Sequence, residues 1–422
     1  MTPELLLLGL ALAAGLYTAW NIGANDVANA MGTSVGSGAL TLMAAIVLAG
    51  IFEFGGAVLV GSSVTSTISK GIVEIELFEE TGPLGAEGPK VLAVAMLAAL
   101  LGCAVWLNIA THLGLPVSTT HAIVGAVAGV GVVNFGWRGV QWGSLLGIVG
   151  SWVVSPLLGG LLAYLSFVMI RRLILRQQDP VAATRLLGPY MVAVVTLIMM
   201  LSFIYKALKN RLDAPPFAMS LLVSAFVAVS VGAMAGFLIR RTRPREGARA
   251  YDYVERVFAM LQVTTACFVA FAHGANDVAN AVGPVATVVS LSRSGFTTVA
   301  SEVSVPFWVL VLGGAGIVVG LSTFGYKVIR TIGHEITEMT PTRGFSAEFG
   351  AATTVLLASS LGLPVSTTHT LVGGVIGVGF AQGIGALNVR TVRNIVNSWL
   401  ATLPAAAAMA ALLFLLGKWM LL

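Results

Sequence analysis

Long apolar runs recur along the whole chain, separated by short polar stretches, and many reach the roughly 20 residues a helix needs to cross a bilayer. The runs are continuous instead of alternating, which fits helices that satisfy their own backbone and not the strands of a transmembrane barrel. They predict spans over 3–38, 40–68, 91–112, 117–134 and 143–170, then 187–205 and 216–239. A further five cover 256–291, 304–329, 345–361, 365–381 and 391–420. Five, two and five give about 12 transmembrane segments in an all-α integral membrane protein. Residues 5–16 follow Glu4 and nothing basic, the wrong flank for a cleaved leader, so they are read as part of the first span.

Composition excludes a water-soluble fold, because 57% of the 422 residues are hydrophobic and only 10% are charged, too few to cover a surface of that size. The net charge of +5 comes from basic residues grouped between apolar runs, so topology explains it and nucleic acid is no partner. Cys103 and Cys267 show no metal-ligand or disulfide spacing. The 49 glycines suit close helix approach in lipid and leave room for a homodimer.

The chain is internally duplicated. GANDVANAMG at 23–32 returns as GANDVANAVG at 274–283, and GLPVSTTHAIVGAVAGVG at 114–131 returns as GLPVSTTHTLVGGVIGVG at 362–379, in the same order. A weaker third pair matches Ser151, Trp152 and Pro156 with Ser398, Trp399 and Pro404. The expected organisation is a first repeat over 1–170, two connecting spans within 171–255 and a second repeat over 256–422. Five spans plus two place the second repeat in the membrane upside down relative to the first, an inverted-topology pair with broken helices or re-entrant hairpins. With the N-terminus outside, 15 of the 23 Lys and Arg fall inside, and Glu74, Glu76, Glu79, Glu80 and Glu87 fall outside, as the positive-inside rule expects. Lys206, Lys209 and Arg211 run against it.

Two constellations carry chemistry. Asn25, Asp26 and Asn29, with their twins Asn276, Asp277 and Asn280, bring a carboxylate and two amides within about one helical turn. Such oxygen donors at membrane depth suit a hard cation, and Gly23 and Gly274 are expected to break the helices and free carbonyls for the same purpose. The plainer reading is amide hydrogen bonds that glue helices. Ser118, Thr119 and Thr120, with Ser366, Thr367 and Thr368, follow a proline and precede Gly-rich apolar runs. They predict a reversal into a helix N-terminus, where free N–H groups, dipole and hydroxyls make an anion site without lysine or arginine. Simple N-capping would account for one hydroxyl at each. His121 and His369 are expected to hydrogen-bond within their helices or, less simply, to carry protons. Glu53 and Glu348 are secondary candidates for cation or proton coupling.

The paired GANDVANA and PVSTTH segments, with Phe-Glu and glycines at 52–56 and Met-Thr-Pro-Thr-Arg-Gly-Phe at 339–345, resemble the inorganic phosphate transporter (PiT) family over essentially the whole chain. The resemblance implies a cell-membrane symporter of phosphate driven by sodium or by protons, with a few sulfate carriers among relatives. It implies no cofactor beyond the co-transported cation. A hydrolase using the Ser, His and Asp residues and a passive channel are the competing classes, the first disfavoured by symmetric duplication and the second by paired ligand-holding sites. About 16 residues separate the first repeat from the middle spans, where animal members carry a long hydrophilic loop.

Overall fold

A computed structural model describes residues 3–61, 72–79, 82–204, 216–244, 249–300, 303–360 and 365–421. Residues 62–68, 205 and 361 of the expected spans lie outside the described residues, as do Glu80, Lys206, Lys209, Arg211, Arg245 and Pro364. The described residues are helical apart from short connections and one β-bridge between Val73 and Val140. In chain order the α-helices are α1 (Pro3–Gly36), α2 (Leu42–Val60), α3 (Gly88–His112), α4 (Thr119–Phe135), α5 (Trp142–Ile170), α6 (Pro180–Phe203) and α7 (Phe217–Arg241). They continue as α8 (Ala250–Arg293), α9 (Phe307–Phe324), α10 (Tyr326–Arg330), α11 (Pro341–Ser360), α12 (Thr367–Gln382) and α13 (Val389–Leu421).

Among the described residues, ten helices are long and apolar enough to cross a membrane. The two expected spans that miss this standard are α11 and α12. The first turns Thr342, Ser346, Glu348 and Thr354 into the protein, all buried, so it is polar where a lipid-facing helix is not. The second has 16 residues, about 24 Å at 1.5 Å per residue.

Two packing relations position everything else. Helix α1 lies against α9, and α8 lies against α2, so each GAND-bearing helix packs on the second helix of the other half. The hairpin of α3 and α4 packs on α13, and that of α11 and α12 packs on α5. The helices around both GAND motifs are unbroken, contrary to the expected interruption: α1 and α8 run continuously through Gly23 and Gly274. The glycines serve close crossing instead. A Cβ on Gly23 would sit 2.7 Å from the Ile317 carbonyl carbon on α9, and one on Gly274 would sit 2.6 Å from the Glu53 Cα on α2. Gly320 and Gly56 answer from the opposite sides, facing the backbones of Trp20 and Phe271. Backbone-on-backbone contact of this kind is how helices associate where lipid offers no hydrophobic driving force.

Candidate functional site

The two acid–amide groups and the two hydroxyl-rich helix starts meet in the interior, and they meet crosswise. From α1, Asn29 donates its amide to Asp26 Oδ1 at 2.9 Å and to Thr368 Oγ1, at the start of α12, at 2.7 Å. Thr368 in turn donates to Asp26 Oδ1 at 3.3 Å. From α8, Asn280 donates to Asp277 Oδ1 at 3.1 Å and contacts the hydroxyls of Thr119 and Thr120, at the start of α4, at 3.2 and 3.3 Å. Each acid–amide pair therefore touches the hydroxyl cluster of the other half. An i, i+3 spacing on a helix is what lets the aspartate accept from its own asparagine.

Asn25 has a different occupation. Its Oδ1 accepts from the Val117 N–H at 3.1 Å, and its Nδ2 donates to Thr111 Oγ1 at 2.9 Å and to the Leu115 carbonyl at 3.1 Å. The whole amide holds the turn that leads into α4. Asn276 lines a narrow cavity of about 70 Å³ together with Asn29, His273 and Thr367.

Ser118 and Ser366 are N-caps. Their Oγ atoms accept from the N–H of His121 at 3.3 Å and of His369 at 3.2 Å, and both have the extended backbone of that position. Capping uses the lone pairs of each serine and leaves its O–H to donate. Val117, Ser118, Thr119, Ser366 and Thr368 are all buried, so both helix starts open inside the protein, where their threonine hydroxyls meet Asn29 and Asn280.

A residue that sequence reasoning missed stands between the two halves. His273 Nε2 lies 2.9 Å from Asp277 Oδ2 and 3.5 Å from Asp26 Oδ2, and its Nδ1 lies 3.6 Å from Glu53 Oε2. Atoms of Asp26, His273 and Asp277 fall within 4.8 Å of one another, a metal-ligand grouping. The signal was available: the residue before the GAND motif is Ile22 in one copy and His273 in the other, four residues ahead of Asp277 and so on its helix face. Glu53 reaches the same centre with both oxygens buried and, among the described residues, no hydrogen bond.

The remaining candidates lie elsewhere. Glu348 is fully buried in a separate polar nest, accepting from Thr33 Oγ1 at 2.6 Å, Ser34 Oγ at 3.2 Å, Gln262 Nε2 at 3.3 Å and Thr265 Oγ1. Among the described residues His121 and His369 make no ring hydrogen bonds, against the expectation that each bonds within its helix. Their rings pack against tryptophans, because α5 and α13 present Trp152 and Trp399 at those positions.

The arrangement has two chemical capacities. Carboxylate and amide oxygens are concentrated where a hard cation would take them, and two helix N-termini with hydroxyls face the same region, as an anion would require. Neither helix start contributes a lysine or arginine.

Similar proteins are named as phosphate permeases or phosphate transporters. The profile of the phosphate transporter family matches residues 22–410. A protein of Pyrococcus abyssi named as a candidate phosphate permease is 44% identical over 98% of this chain and 98% of its own length. A chloroplast protein of Arabidopsis thaliana, named inorganic phosphate transporter 2-1, is 43% identical over 94% of this chain and 70% of its own length. A solved structure described as the sodium-dependent phosphate transporter superposes with a TM-score of 0.87 at 43% identity, covering 98% of this chain and 99% of that one. Together with the ten apolar helices, these likenesses make the chain a multi-pass membrane protein and a transporter, not an enzyme. The chain belongs to the phosphate transporter family.

Proposed function

We propose that the protein imports inorganic phosphate across the cell membrane by symport with sodium, through alternating exposure of one central site built by two inverted repeats. Phosphate sits between the starts of α4 and α12, with Ser118, Thr119, Thr120, Ser366, Thr367 and Thr368 as donors alongside the helix N–H groups. Sodium sits against Asp26 and Asn29 in one half and Asp277, Asn280 and Asn276 in the other, with Asn25 bracing the turn. The observation that carries this reading is the crossed pairing of Asn29 with Thr368 and of Asn280 with Thr119, which makes cation ligands and anion ligands neighbours at both places.

Coupling follows from charge. Asp26, Asp277 and Glu53, when ionised, with His273 protonated, sum to two negative charges. A phosphate dianion is repelled from such a centre until cations occupy it. Crossing a membrane potential of 100 mV costs the dianion about 4.6 kcal/mol, at about 2.3 kcal/mol per charge, and two sodium ions travelling with it cancel that work.

The test is phosphate uptake into proteoliposomes containing the purified protein, with an inward sodium gradient compared with an inward proton gradient at matched potential. Sodium-driven accumulation is expected. Absence of phosphate accumulation under either gradient, with sulfate accumulated instead, refutes the substrate.

A second reading, proton coupling, is favoured by one observation: buried His273 lies between three carboxylates at 2.9, 3.5 and 3.6 Å, a group through which a proton could be exchanged. His273→Gln separates the two readings. Under sodium coupling the variant keeps a sodium-driven gradient of phosphate with altered KM. Under proton coupling it loses accumulation and retains only exchange.

A further inference from the structure

We propose that His121 and His369 are positioning residues that lock the two hydroxyl-bearing helix starts into one anion cradle, an inference that rests on the phosphate reading above. His121 stacks on Trp152 of α5 with centroids 3.5 Å apart and an interplanar angle of 26°. His369 stacks on Trp399 of α13 at 3.8 Å and 21°. The two imidazoles meet each other edge to face at 4.5 Å and 86°. Trp152, His121, His369 and Trp399 thus form one continuous row of rings that crosses from the first half of the chain to the second.

The row is tied to the cradle at several points. The backbone N–H groups of His121 and His369 are the ones capped by Ser118 and Ser366, so each ring is rooted in the first turn that faces the anion. Trp399 Nε1 donates to the carbonyl of Pro116 at 3.0 Å, in the turn before α4. This link runs between halves. A displacement of one helix start therefore carries the other with it, and the distance between the two sets of hydroxyls is held by ring contact. The edge-to-face contact of the two imidazoles is a geometry that aromatic rings prefer, and it and the close stacking on the tryptophans require a flat ring, not an N–H. None of the four ring nitrogens makes a hydrogen bond among the described residues.

The duplicated Trp152 and Trp399 acquire a reason here, since each is the platform for the histidine of its own half.

The experiment measures phosphate KM and maximal uptake in proteoliposomes for the unmodified protein, for His121 and His369 each changed to Phe, Leu and Ala, and for the paired changes. Thermal unfolding in detergent verifies folding, and Leu replaces Ala where an Ala variant does not purify. His121→Leu and His369→Leu are expected to raise phosphate KM by roughly five- to tenfold, the worth of a lost ring pair, with maximal uptake changed less than about twofold. The double Leu variant is expected to rise no further than the worse single variant, because either change breaks the same row. His121→Phe and His369→Phe are expected to keep the original KM and pH profile. Phe variants as impaired as Leu, multiplicative double effects, or unchanged KM in the Leu variants overturn the inference while leaving phosphate transport standing. An unmodified protein that accumulates no phosphate removes the reading on which the inference rests.

Discussion

Replacing Gly274 by alanine is a one-carbon change that the structure converts into a movement of the site. The new Cβ would lie 2.6 Å from both the Cα and the carbonyl carbon of Glu53 on α2. Backbone atoms cannot rotate out of the way, so helices α2 and α8 must separate. Taking the carbon contacts from 2.6 Å to the 3.4 Å of ordinary contact needs roughly 0.8 Å, and the Glu53 carbonyl oxygen, nearer still, makes that a lower bound. Glu53 contributes the carboxylate 3.6 Å from His273 Nδ1, and His273 immediately precedes Gly274. The separation therefore falls directly on that contact and takes it past roughly 4 Å, beyond the reach of an ion pair. Overpacking of this kind costs about 1–3 kcal/mol. The assay pairs a thermal unfolding midpoint in detergent with initial rates of phosphate uptake in proteoliposomes. The expected result is a lowered midpoint and uptake reduced at least about tenfold, the effect of a misplacement of this size at a site. Gly9→Ala, whose Cβ meets nothing within 4 Å, serves as the control and is expected to match the unmodified protein in both measurements. A Gly274→Ala variant with unmodified midpoint and uptake refutes the claim that backbone contact between α2 and α8 sets the geometry of the centre.

Asn25→Ala removes three hydrogen bonds from the turn before α4 and is expected to cost about 1–3 kcal/mol of stability for the groups left unpaired, read as a lowered unfolding midpoint together with a raised phosphate KM. Asp26→Asn is expected to abolish the stabilisation that sodium gives the purified protein, which for a bound ligand at 100 times its dissociation constant amounts to about 2.7 kcal/mol; a sodium-dependent midpoint that survives the change removes Asp26 from the cation site. Ser118→Ala is expected to cost about 1 kcal/mol as a lost N-cap, and Ser118→Gly only a few tenths. If the serine also donates to phosphate, the glycine variant recovers stability in unfolding experiments but keeps the raised KM of the alanine variant.

The helical architecture was legible because membrane spans announce themselves through uninterrupted apolar runs, and the motif pairs were legible because they repeat. Less legible was which copy would touch which. Asn29 donates to Thr368 of the other half, because α1 and the start of α12 converge only through three-dimensional packing. Gly23 and Gly274 were misread as helix breakers for a related reason. A glycine inside an apolar helix is equally suited to a kink and to a close crossing, and only the partner backbone, Ile317 or Glu53, decides between them. Glu348 and Glu53 look alike in sequence, as lone acids in apolar surroundings. Four side chains from α1 and α8 enclose the first, and Ser37, just past the end of α1, extends its nest, while the second projects toward His273 with no hydrogen bond among the described residues. Nothing local distinguishes them, since the distinguishing neighbours lie 83 to 315 residues away for Glu348 and on another helix for Glu53.

Duplication explains the pairing of the site, and the departures from duplication explain its direction. Two identical halves would offer two equivalent acid–amide groups with no preference about which fills first. His273 ends that equivalence: its imidazole lies 2.9 Å from Asp277 and 3.5 Å from Asp26, while the corresponding residue of the first half is Ile22. When the imidazole is charged, it supplies Asp277 with a built-in counter-ion that Asp26 shares only at longer range, so the group on α1 remains the more demanding of an added cation. A cation bound there also faces Thr368, the hydroxyl that Asn29 and Asp26 already engage. Filling the α1 group first would relieve the negative charge beside the start of α12 and open that helix terminus to an anion, which gives a binding order of cation before phosphate. Measuring phosphate KM as a function of sodium concentration checks the order: a phosphate KM that falls steeply as sodium rises, with maximal uptake nearly constant, is expected, and a phosphate KM independent of sodium contradicts it.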